Sequence, residues 1–433
     1  MRLQQAVSLA VFAALGCFIL GPSSGCSSSS NGNGTAAGNG DGGPGGSGDD
    51  GAPCTTLNCN NGEGNGDDSG VYTAVANTTC AAGTAFKCKQ VNCSGGGTTT
   101  LTGQVFDPAG TIPLFNVAVY VPNMPPIDLP EGVACGNCGS WYTAPVVSTT
   151  TDESGNFTLT NMPVGMNIPL IVQVGKWRMT YTLSNVAMCQ GNDAAKLAGT
   201  QLRLPRNHTE GHIPNIAIST GALDSLECLI RRIGIDASEY TGNPTTSPDG
   251  PRIHIFTGGT PNPSVQTEGA QTQNPTSKQS YQYLWNNETS MDQFDVVLLA
   301  CEGNETAYLN DAGREVLQNY TNSGGRVFAS HFHYSWFTPT GPFATVTPPL
   351  ATWSPDGVPG KTVTVGPNMD NGFVIGDVIQ TLPSGMPFPE GVSLHKWLGN
   401  VKALTNDKLQ IWYARHNADL AATNKASQAW IQL

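Results

Sequence analysis

The sequence predicts a multidomain protein in which an antiparallel β-sandwich precedes a flavodoxin-like parallel α/β domain, after a disordered N-terminal tether. Three observations lead to this fold class. Residues 27–97 consist largely of Gly, Ser, Asn, Asp, Thr and Cys. Short strands separated by turns fill residues 98–205, and apolar strands alternate with helical segments within 206–433. The first pattern is typical of a tether, the second of a β-sandwich and the third of an α/β domain.

The composition agrees with this division. A chain of 433 residues is long enough for two folded units with connectors. Only 12% of its residues are charged, 39% are hydrophobic and 52 are glycines, which favours β-structure and loops over a helical bundle. Its net charge of −12 disfavours non-specific binding to nucleic acids, so we expect no nucleic-acid partner.

The N-terminus, residues 1–26, resembles a bacterial lipoprotein signal peptide. An apolar run over 6–20 is too short for a membrane span, and Gly25-Cys26 precedes a tract of serines. An ordinary secretory signal cut near Gly25 is the alternative. The resemblance implies that Cys26 is lipidated and that the membrane is a partner through this anchor. Because Ser27 is not an aspartate, it also implies an extracytoplasmic place at the outer membrane.

The segment that follows combines a tether with a cysteine-rich linker. Residues 27 to about 70 have almost no apolar side chains to offset their ordering entropy, so we expect disorder there. Five cysteines come next, and outside the cytoplasm they predict disulfides. If all are paired, at least one partner lies outside the linker. Zinc is the alternative, although no histidine lies among them. The five are Cys54, Cys59, Cys80, Cys88 and Cys93.

Three motifs in the predicted sandwich resemble the carboxypeptidase regulatory-like family, whose domains are transthyretin-like. They are T-G-x-V-x-D-P-x-G at 102–110, P-L-x-N-V-x-V at 113–119 and T-D-x-x-G-N-F-T-L-T-N-x-P-x-G at 151–165. The resemblance implies a structural or binding module rather than a catalytic one. An insert within the domain carries Cys135 and Cys138, which we expect to form a disulfide, with sharing of Cys189 as an alternative.

The α/β domain centres on residues 295–334. An apolar run, a helical face and a second apolar run predict two buried parallel strands joined by a crossover helix. Groups capable of chemistry follow each strand, and parallel strands place such groups at one edge of the sheet. The chain stops directly after the strand-like segment 429–433, so we expect this domain to lack its last elements. The groups at the strand ends are Cys301, Glu302, His331 and His333.

The order D-V-V-L-L, helix, G-G-R-V-F-A-x-H resembles class I glutamine amidotransferase-like folds over residues 213–335, especially the branch typified by the trehalose-utilisation protein. In amidotransferases the nucleophilic cysteine ends the later strand, where this chain has Ser330-His331. Cys301 ends the earlier strand, so a standard triad is not expected. The motifs G-A-L-D-S-L-E-C-L-I-R-R-I-G-I-D-A-S-E-Y-T and G-G-R-V-F-A-S-H-F-H-Y also resemble a group of myxobacterial lipoproteins with carboxypeptidase regulatory-like domains.

Three interpretations of the strand ends stay open. Cys301 could act as a nucleophile with His331 or His333 as base and Glu302 nearby. Alternatively, His331 and His333 lie on one face of a strand and bind zinc, with Glu302 completing the shell. In the third, the aromatic strand end is structural and needs no cofactor.

We expect a binding or structural protein, with a carbohydrate, peptidoglycan or envelope protein as ligand. The alternative is an extracytoplasmic hydrolase, metal-assisted, with its site near His331.

Overall fold

The structure is a computed structural model. It describes residues 86–134, 145–221, 226–258, 280–301, 310–337, 341–345, 369–376, 378, 380–381 and 385–416. The predicted signal peptide and tether lie outside these residues, and so does the segment 417–433. Besides Cys17 and Cys26 of the signal peptide, the cysteines outside them are Cys54, Cys59, Cys80, Cys135 and Cys138, and the predicted site residue Glu302 also lies outside them.

Two four-stranded sheets form the first domain. One has the order β4-β1-β7, with β8 also paired to β1, and the other has the order β3-β2-β5-β6. The strands are β1 (Thr100–Phe106), β2 (Ala118–Pro122), β3 (Pro145–Thr150), β4 (Asn156–Leu159), β5 (Gly165–Val174), β6 (Trp177–Val186), β7 (Gly191–Asp193) and β8 (Leu202–Arg203).

The two sheets enclose a common apolar core. Along β4, Phe157 and Leu159 are buried while Asn156 and Thr158 are exposed, which is the alternation of a strand with one solvated face. Buried side chains of both sheets meet in one cluster, and each contributes about 1.5–3 kcal/mol of burial free energy. The prediction of a β-domain in this part of the chain is confirmed. The cluster includes Leu101, Val105, Val119, Ile168, Leu170 and Val172.

The prediction that all strands are antiparallel is wrong for one sheet. β4 is antiparallel to β1, but β7 and β8 both run parallel to β1. A short helix, α1 (Ala194–Ala198), separates β7 from β8 and interrupts this edge. It begins at the capping carboxylate of Asp193 and ends at Gly199, whose φ of 71° is left-handed. The helix lies close to β1, since a Cβ on Gly103 would be 3.0 Å from that of Ala194.

One disulfide joins the linker to the β-domain. Cys93 is bonded to Cys189, in the turn that follows β6. The prediction that a linker cysteine pairs outside the linker is therefore confirmed, whereas the alternative pairing of Cys189 within the insert is wrong. Cys88 is also in a disulfide.

The second domain contains a five-stranded parallel sheet, which confirms the predicted α/β architecture at this level. Its strand order is β10-β11-β9-β12-β13. All residues of β9, β11 and β12 are buried, as expected where both faces of a sheet are covered. The elements are β9 (Ile216–Ser219), α2 (Leu226–Arg232), β10 (Tyr240–Thr241), β11 (Ile253–Phe256), α3 (Tyr281–Trp285), α4 (Glu288–Met291), β12 (Val296–Leu299), α5 (Asp311–Asn322) and β13 (Arg326–Ala329).

The faces of the parallel sheet pack against different partners. Ile218 and Leu298 point to one face, where they join α2 and the core of the β-domain in a single cluster. Val297 and Leu299 point to the other face and pack against α3 and α5. Because one apolar cluster runs through both domains, the β-domain acts as part of the cover of the parallel sheet.

The described C-terminal part adds a small antiparallel sheet and a helix. The sheet has the order β14-β16-β15. The helix packs on the β-domain, where the indole Nε1 of Trp397 donates to the Pro113 carbonyl at 2.8 Å and Lys396 pairs with Glu153 at 2.8 Å. No described helix has the length and apolar character needed to cross a membrane. The elements are β14 (Met369–Gly376), α6 (Pro389–Asn400), β15 (Leu404–Thr405) and β16 (Lys408–His416).

A buried ion pair joins the two domains. Lys176, in the turn between β5 and β6, pairs with Asp295, which precedes β12, and their side chains are 4% and 5% exposed. The same ammonium donates to the Gly132 carbonyl, and Asp295 Oδ2 accepts from the Asn215 amide at 2.7 Å. Burial raises the pKa of Asp295 to about 6, although Lys176 and that amide act in the opposite direction.

We predict that Lys176→Met lowers the free energy of unfolding by about 3–5 kcal/mol, because it leaves the Asp295 carboxylate buried without its cation. Urea unfolding at neutral pH measures this change. Lys196→Met is the matched control. The Lys196 side chain is 83% exposed, and the variant loses only a surface ion pair in which Nζ lies 3.8 Å from Asp193 Oδ2. The control should stay within about 0.5 kcal/mol of wild type. Equal unfolding midpoints for the two variants would contradict the role of the buried pair.

Candidate functional site at the carboxyl edge of the parallel sheet

In parallel α/β sheets, ligands bind outside the carboxyl ends of the strands, where the strand order reverses. In this chain β11 lies on one side of β9 and β12 lies on the other, so the reversal falls between β9 and β12. The residues that follow these two strands are Ser219-Thr220-Gly221 and Ala300-Cys301. They mark the place where the fold positions a site.

The backbone is closely packed at this reversal. The Ala300 amide donates to the Ser219 carbonyl at 3.1 Å, and the Thr220 amide donates to the Phe256 carbonyl at 3.0 Å. A Cβ on Gly221 would lie 2.2 Å from the carbonyl oxygen of Cys301, so a larger residue would force the two strand ends apart. The edge is therefore rigid between its two central strands.

Cys301 follows β12 as predicted, and its side chain is fully buried. Its neighbour Glu302 lies outside the described residues, so the predicted place of this carboxylate beside the thiol stays a prediction. The proposed pairing of Cys301 with a histidine base stays a prediction.

The two histidines do not extend a strand. β13 ends at Ala329, the Ser330 amide makes the last ladder bond to the Leu299 carbonyl, and residues His331–Phe337 form a 3₁₀ helix. Residues i and i+2 of a helix with three residues per turn point about 120° apart. The expectation that a strand places both imidazoles on one face is therefore wrong. The side chain of His331 is not described, so its catalytic or metal-binding role stays a prediction.

His333 is buried and connects two segments. It is 3% exposed, and its Nε2 lies 2.8 Å from the Ala300 carbonyl oxygen. A carbonyl only accepts, so Nε2 carries the proton and Nδ1 is left as an acceptor. The ring packs edge-on against Trp285, with centroids 5.6 Å apart, and beside Trp336. Burial lowers the pKa of His333 to about 4 although the Ala300 bond favours the proton, so this imidazole is neutral at pH 7.

Two polar groups at this edge, Ser219 and Trp285, were not predicted from the sequence. Ser219 alternates with Ile218, so it points to the face that also carries α3 and Trp285. Within the described residues, Ser219 Oγ, Trp285 Nε1 and His333 Nδ1 are all buried without a hydrogen-bond partner. Trp285 Nε1 can donate a hydrogen bond, His333 Nδ1 can accept one, and the Ser219 hydroxyl can do both. No local pattern of α3 marks Trp285, because its significance comes from its contact with His333.

Zinc remains a prediction for this edge. The described residues contain no group of three or more His, Cys, Asp and Glu side chains arranged to hold a metal ion. His333 Nδ1 is a described atom that could coordinate one, because its Nε2 proton is already directed at a carbonyl, the usual arrangement of a ligating histidine. The other two predicted ligands, His331 and Glu302, have no described side chains.

A search of protein-family models, of curated proteins and of solved structures finds no match to this chain. The function therefore follows from the chemistry of its own residues.

We predict that acid destabilises the protein through His333. An unfolded imidazole has a pKa of about 6.5 and takes a proton as the pH falls, while folded His333 stays neutral down to pH 4. This contribution is therefore complete above pH 6.5 and is lost progressively between 6.5 and 4. Between pH 7.5 and 5 the free energy of unfolding should fall by about 2 kcal/mol more in wild type than in His333→Gln. Parallel pH curves from urea unfolding would contradict this.

Proposed function

We propose that this chain is a lipid-anchored protein of the cell envelope with a binding or structural role, rather than an enzyme. The observation that carries this proposal is the state of His333. A general base needs access to a substrate and a pKa near the working pH. His333 is buried between two tryptophans, its pKa is lowered to about 4, and its Nε2 proton is used to hold the end of β12.

The proposed identities of the two domains agree with this role. Two sheets over one core support a carboxypeptidase regulatory-like module, a family of structural and binding domains. If the two-residue β10 is set aside, the parallel strands have the order 2-1-3-4, which corresponds to the first four strands of flavodoxin-like folds. This order supports an amidotransferase-like domain in which Ser330-His331 stands at the usual position of the nucleophile.

The proposed anchor is Cys26, and the proposed place is the extracytoplasmic side of the outer membrane. Support comes from the apolar run at 6–20, from Gly25-Cys26 and from the cysteine-rich linker with a disulfide at Cys93, which needs an oxidising compartment. Acyl chains contribute about 0.8 kcal/mol per buried CH₂, so several of them hold a protein on a membrane stably.

We predict that Cys26→Ser moves the full-length protein from the membrane fraction to the soluble fraction when it is expressed in a bacterium with lipoprotein processing. The reason is that the variant lacks the thiol that would carry the lipid. Detergent phase partitioning followed by immunoblotting measures the change. Cys17→Ser is the matched control, because it removes the other cysteine of the signal region and should leave partitioning unchanged. Retention of Cys26→Ser in the membrane would refute the anchor.

The second candidate function is a metal-assisted hydrolase at the same sheet edge. One observation favours it: His333 Nδ1 is a buried acceptor with no partner among the described residues, and its Nε2 is bound as in a metal ligand. His331 and Glu302 follow the ends of the adjacent strands β13 and β12. We propose zinc as the metal for this alternative.

Metal analysis separates the two candidates. If the hydrolase proposal is correct, purified protein should contain about one zinc ion per chain, and His331→Gln should lose it. His395→Gln, on α6, is the matched control and should keep the metal. Absence of bound zinc from wild-type protein dialysed against zinc-containing buffer would exclude the metal-assisted alternative.

A further inference from the structure

We propose that a groove between the open edges of β3 and β4 binds an oligosaccharide, an inference that rests on the binding role proposed above. We call it the edge groove. Its volume is about 590 Å³, within the range of sites for small molecules and short oligomers. It is open to solvent and lies in the β-domain, apart from the carboxyl edge of the parallel sheet.

The fold builds this groove from two strand edges. β3 is the last strand of one sheet and β4 is the last strand of the other. Along β4 the buried Phe157 and Leu159 alternate with Thr158, so Thr158 faces solvent, and the exposed Thr160 follows on the same side. Ser148 and Thr149 of β3 also line the groove. The groove thus has four hydroxyl-bearing residues, of which three belong to β3 and β4 and the fourth, Thr160, directly follows β4.

A third wall comes from the linker. The Lys87 amide donates to Asn123 Oδ1 at 3.1 Å, and the Lys89 carbonyl accepts from the Val164 amide at 2.9 Å. Gln90 Nε2 donates to the Asn161 carbonyl at 2.6 Å, and both residues line the groove. The disulfide of Cys93 with Cys189 then ties this segment to the turn after β6. The wall is therefore fixed before any ligand arrives, which lowers the entropic cost of binding.

The chemistry of the lining fits sugar hydroxyls. Its polar side chains are mainly hydroxyls and amides, which both donate and accept, as sugar hydroxyls also do. Among the described residues that line the groove none is acidic, and Lys87 is the one basic residue. An extended peptide could pair with a strand edge, but it would need apolar pockets for alternate side chains. Val91, Val146 and Val147 also line the groove, but hydroxyl and amide side chains outnumber them, so the observations favour a carbohydrate.

The test uses the full-length chain in detergent and two defined probes, a tetramer of N-acetylglucosamine and a tetramer of glucose, with titration calorimetry as the readout. Wild type should bind at least one of them. Thr158→Val/Thr160→Val removes two hydroxyls and keeps the β-branched shape, so the fold is retained while the Kd rises about tenfold. Thermal melting of each variant verifies folding.

The matched control is Thr180→Val/Thr182→Val, which makes the same exchange at two exposed positions of β6, at the opposite edge of the sheet that contains β3. It should bind as wild type does. The assignment of the binding site to the edge groove would be overturned if both double variants weakened tetramer binding equally. It would also be overturned if neither double variant changed the Kd. The proposal that the ligand is an oligosaccharide would be overturned if wild type bound neither tetramer. It would also be overturned if wild type bound only a peptide rich in serine and threonine. The Cys26→Ser experiment judges the envelope proposal separately.

Discussion

The buried pair between Lys176 and Asp295 governs how the two domains sit together. The two side chains are almost fully buried. Removing two charges from water is costly, and replacing a buried pair by apolar side chains of similar volume is often neutral or stabilising. The pair fixes a geometry. The Asp295 carboxylate binds the β5–β6 turn through the Lys176 ammonium, and it binds the residue before β9 through the Asn215 amide. An apolar interface can slide, whereas these contacts have one geometry. We infer that this pair sets the position of the β-domain on the parallel sheet.

The sequence predicts the position of a strand well where burial on both faces makes the strand uniformly apolar, as in β12. It does not predict where a strand ends or in which direction it runs, because these depend on the neighbouring strand. The alternation in His331 to Tyr334 is typical of a strand, yet the ladder stops at Ser330, since β12 ends at Leu299 and offers no further partner. In the same way, Asp193 marks the start of α1, but nothing in the local sequence indicates that β7 and β8 run parallel to β1.

For the candidate sites too, the local sequence predicts some features, while others depend on segments that are distant in the chain. The place of Cys301 and His333 followed from the carboxyl ends of the strands, whereas the burial of His333 depends on Trp285 and Trp336, which come from other segments. The edge groove could not be foreseen either. Its walls combine the linker at 87–92 with strand residues more than fifty positions away, and cysteine spacing does not reveal that Cys93 chooses Cys189 as its partner.

The cross-link at Cys93 also determines how the fold carries mechanical load. It lies seven residues before β1 begins at Thr100, so a pull on the chain from its N-terminal side reaches a covalent bond before it reaches the hydrogen bonds of β1. The force passes through Cys189 into the turn after β6, and β1 is protected from being peeled off its neighbours β4 and β7. A protein held at its N-terminal end on a moving surface would keep its first strand in place under tension.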